Sequence, residues 1–297
     1  MRSIGEFSLV REIGDGFSGS VVLGNCSRSG RQVAVKLPSQ AKLLGSSKIP
    51  KLIANEFEVL TVLKHPRVVE PIGYNPRAEF FRNGQGEKVW TPYLALEMIP
   101  NGEVCALLCE KGRFSEETSR FYFLQLMEGL QYIHSQGFAH RDIKPENMMF
   151  DSNFDLKLID FAFATPLGAA ASSVVGTPGY ISPEMYTQPN YDPSASDVFA
   201  AGVVLFIMAK GAPPFNEARR NDPHFVGFCR NRARFWEGQF KKDPDMPSSQ
   251  AFVDLIDRML EPDPAKRITV LQILQHSYLA SPPSAQEAKD EIRRLRT

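Results

Sequence analysis

Between residues 7 and 37, apolar and polar side chains alternate and glycines punctuate the alternation. FSLVREIG, SVVLGN and RQVAVKL therefore predict three strands joined by tight turns. The period changes at residues 50 to 64. There Leu52, Ile53, Phe57, Leu60 and Leu63 recur at helical spacing behind Pro50, and His65-Pro66 ends the helix. RVVEPIGY and PYLALEMI return to a strand pattern. The polar stretch between them, residues 77 to 90 with NGQG at its centre, predicts an extended hairpin tip.

Beyond Asn101-Gly102 the pattern becomes helical. SEETSRFYFLQLMEGLQYIHSQG is an amphipathic helix that Ser115 caps and Gly137 ends. Short strand-like pieces, MMF and LKLID, come next, then a small-residue loop at 165 to 175. Helices are expected at 195 to 210, 249 to 260 and 268 to 275. The chain is thus α+β, with a small sheet-rich half before a larger helical half, a boundary near residue 100 and no internal repeat. The apolar run 198 to 209, between Asp197 and Lys210, is too short to span a bilayer and predicts a buried core helix. DSNFD at 151 to 155 has no central glycine, and Ala162 stands where a calcium loop needs its bidentate Glu, so it is rejected as a calcium site. The tail SAQEAKDEIRRLRT, acidic first and basic last, predicts a short solvated helix in which Asp290 faces Arg294.

Composition narrows the partners. The 297 residues carry 34 basic and 34 acidic side chains, with 43% hydrophobic and 23% charged residues. That balance suits a soluble globular protein and argues against bulk binding to nucleic acid or an anionic membrane. Cys26, Cys105, Cys109 and Cys229 form no CxxC pair and are expected as reduced thiols. Neither end carries a secretion or lipidation signal, so a cytoplasmic protein is expected, with nuclear entry left open.

The chemistry lies in four strings. GDGFSGSV contains Gly14, Gly16, Gly19 and Val21, a glycine-rich turn of the kind that lets backbone N–H groups approach phosphate. VAVK ends in Lys36, a cation on a buried strand that needs a partner, and Glu56 on the following helix is one. HRDIKPENMMF runs from His140 to Phe150, and DFA holds Asp160. GTPGYISPE, Asp197 and Arg267 follow in order. Together these resemble the eukaryotic protein kinase superfamily over residues 7 to 279. The details HRDIKPEN, GTPGYISPE and LQHSYL resemble the calcium/calmodulin-dependent kinase group most.

The resemblance implies a bilobal kinase fold. Its N-lobe (7–97) is a small antiparallel sheet with one main helix. A hinge (97–101) leads to a larger helical C-lobe (102–279), and 280–297 form a charged helical tail. It implies ATP and Mg2+ as cofactors. Asp142 would take the acceptor's proton, Lys144 would steady the phosphoryl group, Asn147 and Asp160 would ligate magnesium, and Lys36 held by Glu56 would bind phosphates. Gly14, Gly16, Gly19, Val21, Ala34, Leu96 (as gatekeeper), Glu97, Met98 and Met149 would line the nucleotide site. Glu184 would pair with Arg267, and Asp197 would brace the catalytic loop.

Lys144 and Thr177 resemble the serine/threonine type, with the Thr177 hydroxyl bridging Asp142 and Lys144. Glu103 and Glu146 are candidates for reading an arginine in a protein substrate. Arg141 before the catalytic Asp, with Ser173 in the activation loop, suggests control by an upstream activating kinase. The implied catalytic domain is a monomer. Two positions depart from the pattern: Ala162 replaces the usual glycine after Asp160-Phe161, and Phe17-Ser18 displaces the loop aromatic. Those departures are the basis for an alternative reading, a catalytically impaired pseudokinase that binds nucleotide or partners.

Overall fold

A computed structural model describes residues 2–16, 18–38, 43, 47–81, 88–169, 171–244, 249–281 and 283–296. Phe17 and the centre of the 77–90 hairpin lie outside the described residues. The chain divides into two compact units, Met1–Pro100 with Asp160–Phe163, and Asn101–Ile159 with Ala164–Thr297.

The first unit holds β1 (Arg2–Ile4), β2 (Phe7–Asp15), β3 (Ser20–Cys26), β4 (Gln32–Leu37), α1 (Lys48–Val62), β5 (Pro71–Phe81) and β6 (Lys88–Glu97). All pairings are antiparallel, in the order β1-β2-β3-β4-β6-β5, and the pair Ile4–Phe80 closes the sheet into a barrel. Closure removes the free edges a sheet would otherwise present. β1 has only three residues, too few for the alternation that announced its neighbours. Inside lie Ile4, Phe7, Val33, Val35, Tyr93 and Ala95. Fully burying side chains of this size is worth about 1.5–3 kcal/mol each. Helix α1 sets Ile49 and Ile53 on Leu94, with Leu96 and Phe57 packed around them. Phe57 stacks on Tyr74 at 4.7 Å. The predicted hairpin tip is narrower than its polar composition suggested, because β5 continues to Phe81 and β6 starts at Lys88. Exposed strand residues need not be apolar.

The second unit is mostly helical. It contains α2 (Val104–Lys111), α3 (Glu116–Ser135), β7 (Phe138–Ala139), a 3-10 turn (Pro145–Asn147), β8 (Met148–Phe150), β9 (Leu156–Leu158) and β10 (Thr165–Pro166). After these come α4 (Pro183–Thr187), α5 (Pro193–Lys210), α6 (Pro223–Arg230), α7 (Arg232–Lys242), α8 (Gln250–Met259), α9 (Val270–Leu274) and α10 (Ala285–Leu295). Helix α5 is long and apolar enough to cross a membrane by length and composition, yet 78% of it is buried inside the protein. A helix apolar all round is what a core position requires. In α3, Tyr122, Phe123, Leu126, Met127, Leu130 and Ile133 are all fully buried.

The solvated tail helix is a correction. Ala288 and Ile292 of α10 are buried, and Asp290 pairs with Arg293 at 2.5 Å. Ala288 and Ile292 are one turn apart, so they form a stripe too narrow to stand out beside the seven polar or charged residues of α10. The four cysteines are free. The Cys105 and Cys109 sulfurs stand 3.8 Å apart, and burial, with Glu146 nearby, pushes the Cys105 thiol up to about 12.

Candidate active site

Within the first unit the glycine-rich turn closes on itself. Gly16 N–H donates to Gly19 O at 2.9 Å, and Gly19 N–H donates back to Gly16 O at 3.3 Å. Gly19 has φ +150°, and a Cβ there would stand 2.1 Å from Leu37 O, so only glycine fits. Gly14 and Gly16 are under no such constraint, since a Cβ on either would meet nothing nearer than 3.8 Å. Ser18 is buried at 3% exposure.

Strand pairing aligns the residues beyond the turn. Val21 faces Lys36 across β3 and β4, and Ala34 faces Leu96 across β4 and β6. Glu97 ends β6, and its Oε1 accepts from Glu70 N–H at 2.9 Å; Met98 follows it. Lys36 Nζ donates to Glu56 Oε2 at 2.6 Å and to Asp160 Oδ1 at 2.9 Å. Burial opposes the charge on Lys36, but Glu56 and Asp160 outweigh it and hold the ammonium above its ordinary range. Burial pushes the Glu56 carboxyl up against the pull of Lys36, and its second oxygen is buried without a partner.

Asp160 adopts φ +61°, a left-handed conformation unusual for a residue with a side chain. Ala162 does not, and its methyl is buried at 5% exposure. The strain at this turn therefore sits on Asp160. Asn55, which the sequence did not mark, donates to Ala162 O at 3.1 Å from the turn of α1 that carries Glu56.

In the second unit the catalytic-loop string is organised by one carboxylate. Asp197 Oδ1 accepts from Arg141 N–H at 2.7 Å, and Oδ2 accepts from His140 N–H at 2.9 Å. Arg141 carries φ +63°, and those two bonds hold the strained turn. His140 is fully buried between Asp142 N–H and Ile159 O. The next residues converge on Asp142. Lys144 Nζ lies 2.9 Å from Asp142 Oδ2 and donates to Thr177 Oγ1 at 2.7 Å. Thr177 donates in turn to Asp142 Oδ1 at 3.1 Å. Asn147 Nδ2 donates to Asp142 O and Oδ2 at 2.8 and 2.9 Å. Gly176, φ +97°, brings Thr177 in; a Cβ there would lie 2.9 Å from Arg141 O.

The model of the protein kinase domain matches residues 7–279. The chain belongs to the protein kinase family. It is 30% identical to CBL-interacting serine/threonine-protein kinase 9 of Arabidopsis thaliana, covering 97% of this chain and 62% of that protein. It is 32% identical to CBL-interacting protein kinase 1 of Oryza sativa subsp. japonica (93% of this chain, 56% of that one). It is also 32% identical to serine/threonine-protein kinase SIK1 of Mus musculus (97% and 34%). The chain thus spans about a third to three-fifths of these relatives' length.

The remaining candidates of the kinase domain surround this loop. Glu184 and Arg267 form a buried two-pronged pair at 2.5 and 2.8 Å. Glu103 stands at the N-terminal boundary of α2 and pairs backbone to backbone with Met149 of β8. Burial, then the neighbouring Glu146, raises the Glu103 carboxyl above its ordinary range, and Glu146 Oε2 is buried without a partner. Ser173 is exposed. Its carbonyl accepts from Tyr191 Oη at 3.0 Å, and Arg141 donates to the same Oη at 3.4 Å. No motif in the sequence pointed to Tyr191.

A magnesium ion needs hard oxygen ligands and few of them, because phosphates and water complete its shell. Asn147 fits: both of its side-chain hydrogen bonds use Nδ2, which leaves the side-chain oxygen Oδ1 for a cation. Among the described residues, no cluster of three or more His, Cys, Asp or Glu forms an all-protein metal cage.

Proposed function

We propose that this chain is an ATP- and magnesium-dependent serine/threonine protein kinase, with protein hydroxyls as acceptors. The observation that carries the reading is the Thr177 hydroxyl seated between Lys144 and Asp142, 2.7 Å from one and 3.1 Å from the other. In the transfer, the acceptor oxygen forms a bond to the γ-phosphorus as the bond to the β,γ-bridging oxygen breaks, and ADP leaves. Asp142 receives the acceptor's proton on its carboxylate. Lys144 compensates charge on the moving phosphoryl group, and Lys36, braced by Glu56, holds the nucleotide's phosphates. Asn147 and Asp160 would hold magnesium, which when bound neutralises charge on the phosphate oxygens.

Glu103 and Glu146 support a preference for acceptor sites containing arginine. Two neighbouring carboxyls, one with a buried unpartnered oxygen, are a poor arrangement unless a cation joins them. Arg141 and exposed Ser173 support activation by an upstream kinase, since a phosphate on Ser173 would arrive beside the Tyr191–Arg141 contact.

The test is incubation of the purified protein with ATP, magnesium and a mixed serine/threonine peptide pool, beside Asp142→Asn. Phosphopeptides that depend on Asp142 support the reading. Nucleotide binding without any phosphopeptide, with or without an activating kinase, overturns it in favour of a nucleotide-binding module.

A further inference from the structure

Helix α3 begins at Glu116, and at its N-terminus the structure seats a carboxylate from a distant part of the chain. Glu291 of α10 accepts from Ser115 N–H at 2.8 Å, from Ser115 Oγ at 2.6 Å and from Thr118 Oγ1 at 2.9 Å. The Ser115 hydroxyl has its one proton committed. It donates to Glu291 while accepting from Thr118 N–H at 3.2 Å as the helix cap. Glu291 therefore occupies the place where a helix N-terminus favours an anion.

The rest of α10 hangs on this and a few other anchors. Lys289 pairs with Asp155 at 2.9 Å, Arg293 lies 4.9 Å over the Phe154 ring, and Arg296 donates to Asn101 O. Asn101 is bonded to Phe150 O and Asp151 O, so α10 braces the strand that leaves the catalytic loop. An isolated helix of 11 residues is marginal in water, so α10 depends on its docking to stay folded.

We propose that Ser115 is a phosphorylation site whose modification releases α10. Ser115 is exposed while Thr118 is buried at 1% exposure, so a modifying enzyme reaches the first and not the second. The reaction joins Ser115 Oγ to the γ-phosphorus of ATP, supplied by a protein kinase. ADP departs and the hydroxyl proton passes to that enzyme's base. The product has no Oγ proton to give Glu291, and it carries a charge of about −1.5 to −2 where the carboxylate now sits. The phosphate is tethered in place by its own residue beside Glu116 and Glu117 of the first turn, so the like-charge repulsion falls on Glu291, the one carboxylate there that comes from another element. Glu291 is expelled, and Arg296 is drawn away from Asn101 as α10 unfolds.

The experiment compares the full chain with and without phosphoserine encoded at position 115, by hydrogen–deuterium exchange. The expected result is exchange across 285–296 faster by about tenfold or more, with α3 still protected because the phosphate caps it. In Glu291→Lys the sign reverses, since phosphate and ammonium attract and phosphorylation slows exchange in the same segment. Unchanged or slower exchange in 285–296 of the phosphorylated native chain overturns the proposal. So does faster exchange in α3 and α10 together, which would mean general unfolding.

Discussion

The Asn55 side chain donates to the backbone carbonyl of Ala162 at 3.1 Å, and so ties the turn after Asp160 to the helix that carries Glu56. The positive φ is carried by Asp160, whose carboxylate is bound to Lys36, and the alanine methyl is accommodated without strain. A glycine at 162 would add conformational freedom to the unfolded chain and gain nothing in the folded one. Ala162→Gly is expected to lower stability by about 0.5–1 kcal/mol and to speed exchange at residues 160–163, with phosphoryl transfer retained. Thermal and denaturant unfolding measure the first. A stabilised Ala162→Gly would mean the methyl is strained after all.

Lys36 is the cation seen beside both Glu56 and Asp160, and its removal leaves the fully buried Glu56 carboxylate without its cation. Breaking a buried ion pair from one side costs about 3–5 kcal/mol. Lys36→Met should lose stability on that scale near neutral pH and phosphoryl transfer with it. The loss has a defined pH direction. With the ammonium gone, the Glu56 carboxyl, which burial already raises, titrates further upward, so the folded variant binds its proton more tightly than its unfolded chain. Its deficit relative to the native protein then shrinks as pH falls from 8 towards 5. A deficit that is flat across that range would show the pair to be energetically idle.

The longest helices were legible because they repeat their signal: α3 and α5 appear within two residues of where the periodicity put them, whereas the shorter α2, α6 and α7 were not marked. So was the order of the chemical strings, since Lys36, Asp142, Asn147 and Asp160 each sit in a motif that is local in sequence. What escaped depended on contacts across long separations or on single residues. β1 closes the barrel with three residues. Tyr191 meets Ser173 and Arg141 from 18 and 50 positions away. Glu291 reaches Ser115 across 176 positions and is one acid among several in a charged tail. No periodicity encodes such a pairing, because the side chains involved are common and their meeting is set by packing elsewhere.

Arg267 and Glu184 are 0% and 1% exposed, and the guanidinium also binds Glu261 O and Ala195 O. Arg267→Ala leaves a buried carboxylate and is expected to cost about 3–5 kcal/mol. Arg267→Lys should recover only part of this, because an ammonium cannot reproduce the fork or its extra bonds. The double variant Arg267→Met, Glu184→Gln should be more stable than Arg267→Ala alone. Denaturant midpoints compare the three, and a double variant no more stable than Arg267→Ala would mean that the stranded carboxylate is not the source of the loss.

Tyr191 links the activation-loop carbonyl of Ser173 to Arg141 through one hydroxyl. Tyr191→Phe removes both bonds and keeps the ring, which is buried at 6% exposure. Exchange at residues 172–175 should rise while global stability falls by only about 1 kcal/mol. If Ser173 is the activating site, Ser173→Ala abolishes the gain in activity produced by an upstream kinase. Full activity in Ser173→Ala would end that assignment.

Glu103 offers the sharpest test of substrate preference, because its carboxyl is raised by burial and by Glu146. Arginine is bound by the anionic form, and in the free enzyme that form is depleted over a window beginning above the ordinary glutamate value. Discrimination between an arginine peptide and its norleucine counterpart should therefore weaken as pH falls from neutral towards about 5. Binding of arginine must then release protons in that window, which calorimetry in two buffers of different ionisation enthalpy detects. Glu103→Gln should flatten the pH dependence and reduce the preference by about 1.5–3 kcal/mol, the scale of one charge-assisted hydrogen bond. The ratio of kcat/KM for the two peptides carries this information, and a change confined to kcat would place Glu103 in the chemistry instead. If Glu103→Gln leaves the ratio intact at every pH, arginine is read elsewhere, and the unpartnered Glu146 oxygen is the remaining candidate to vary.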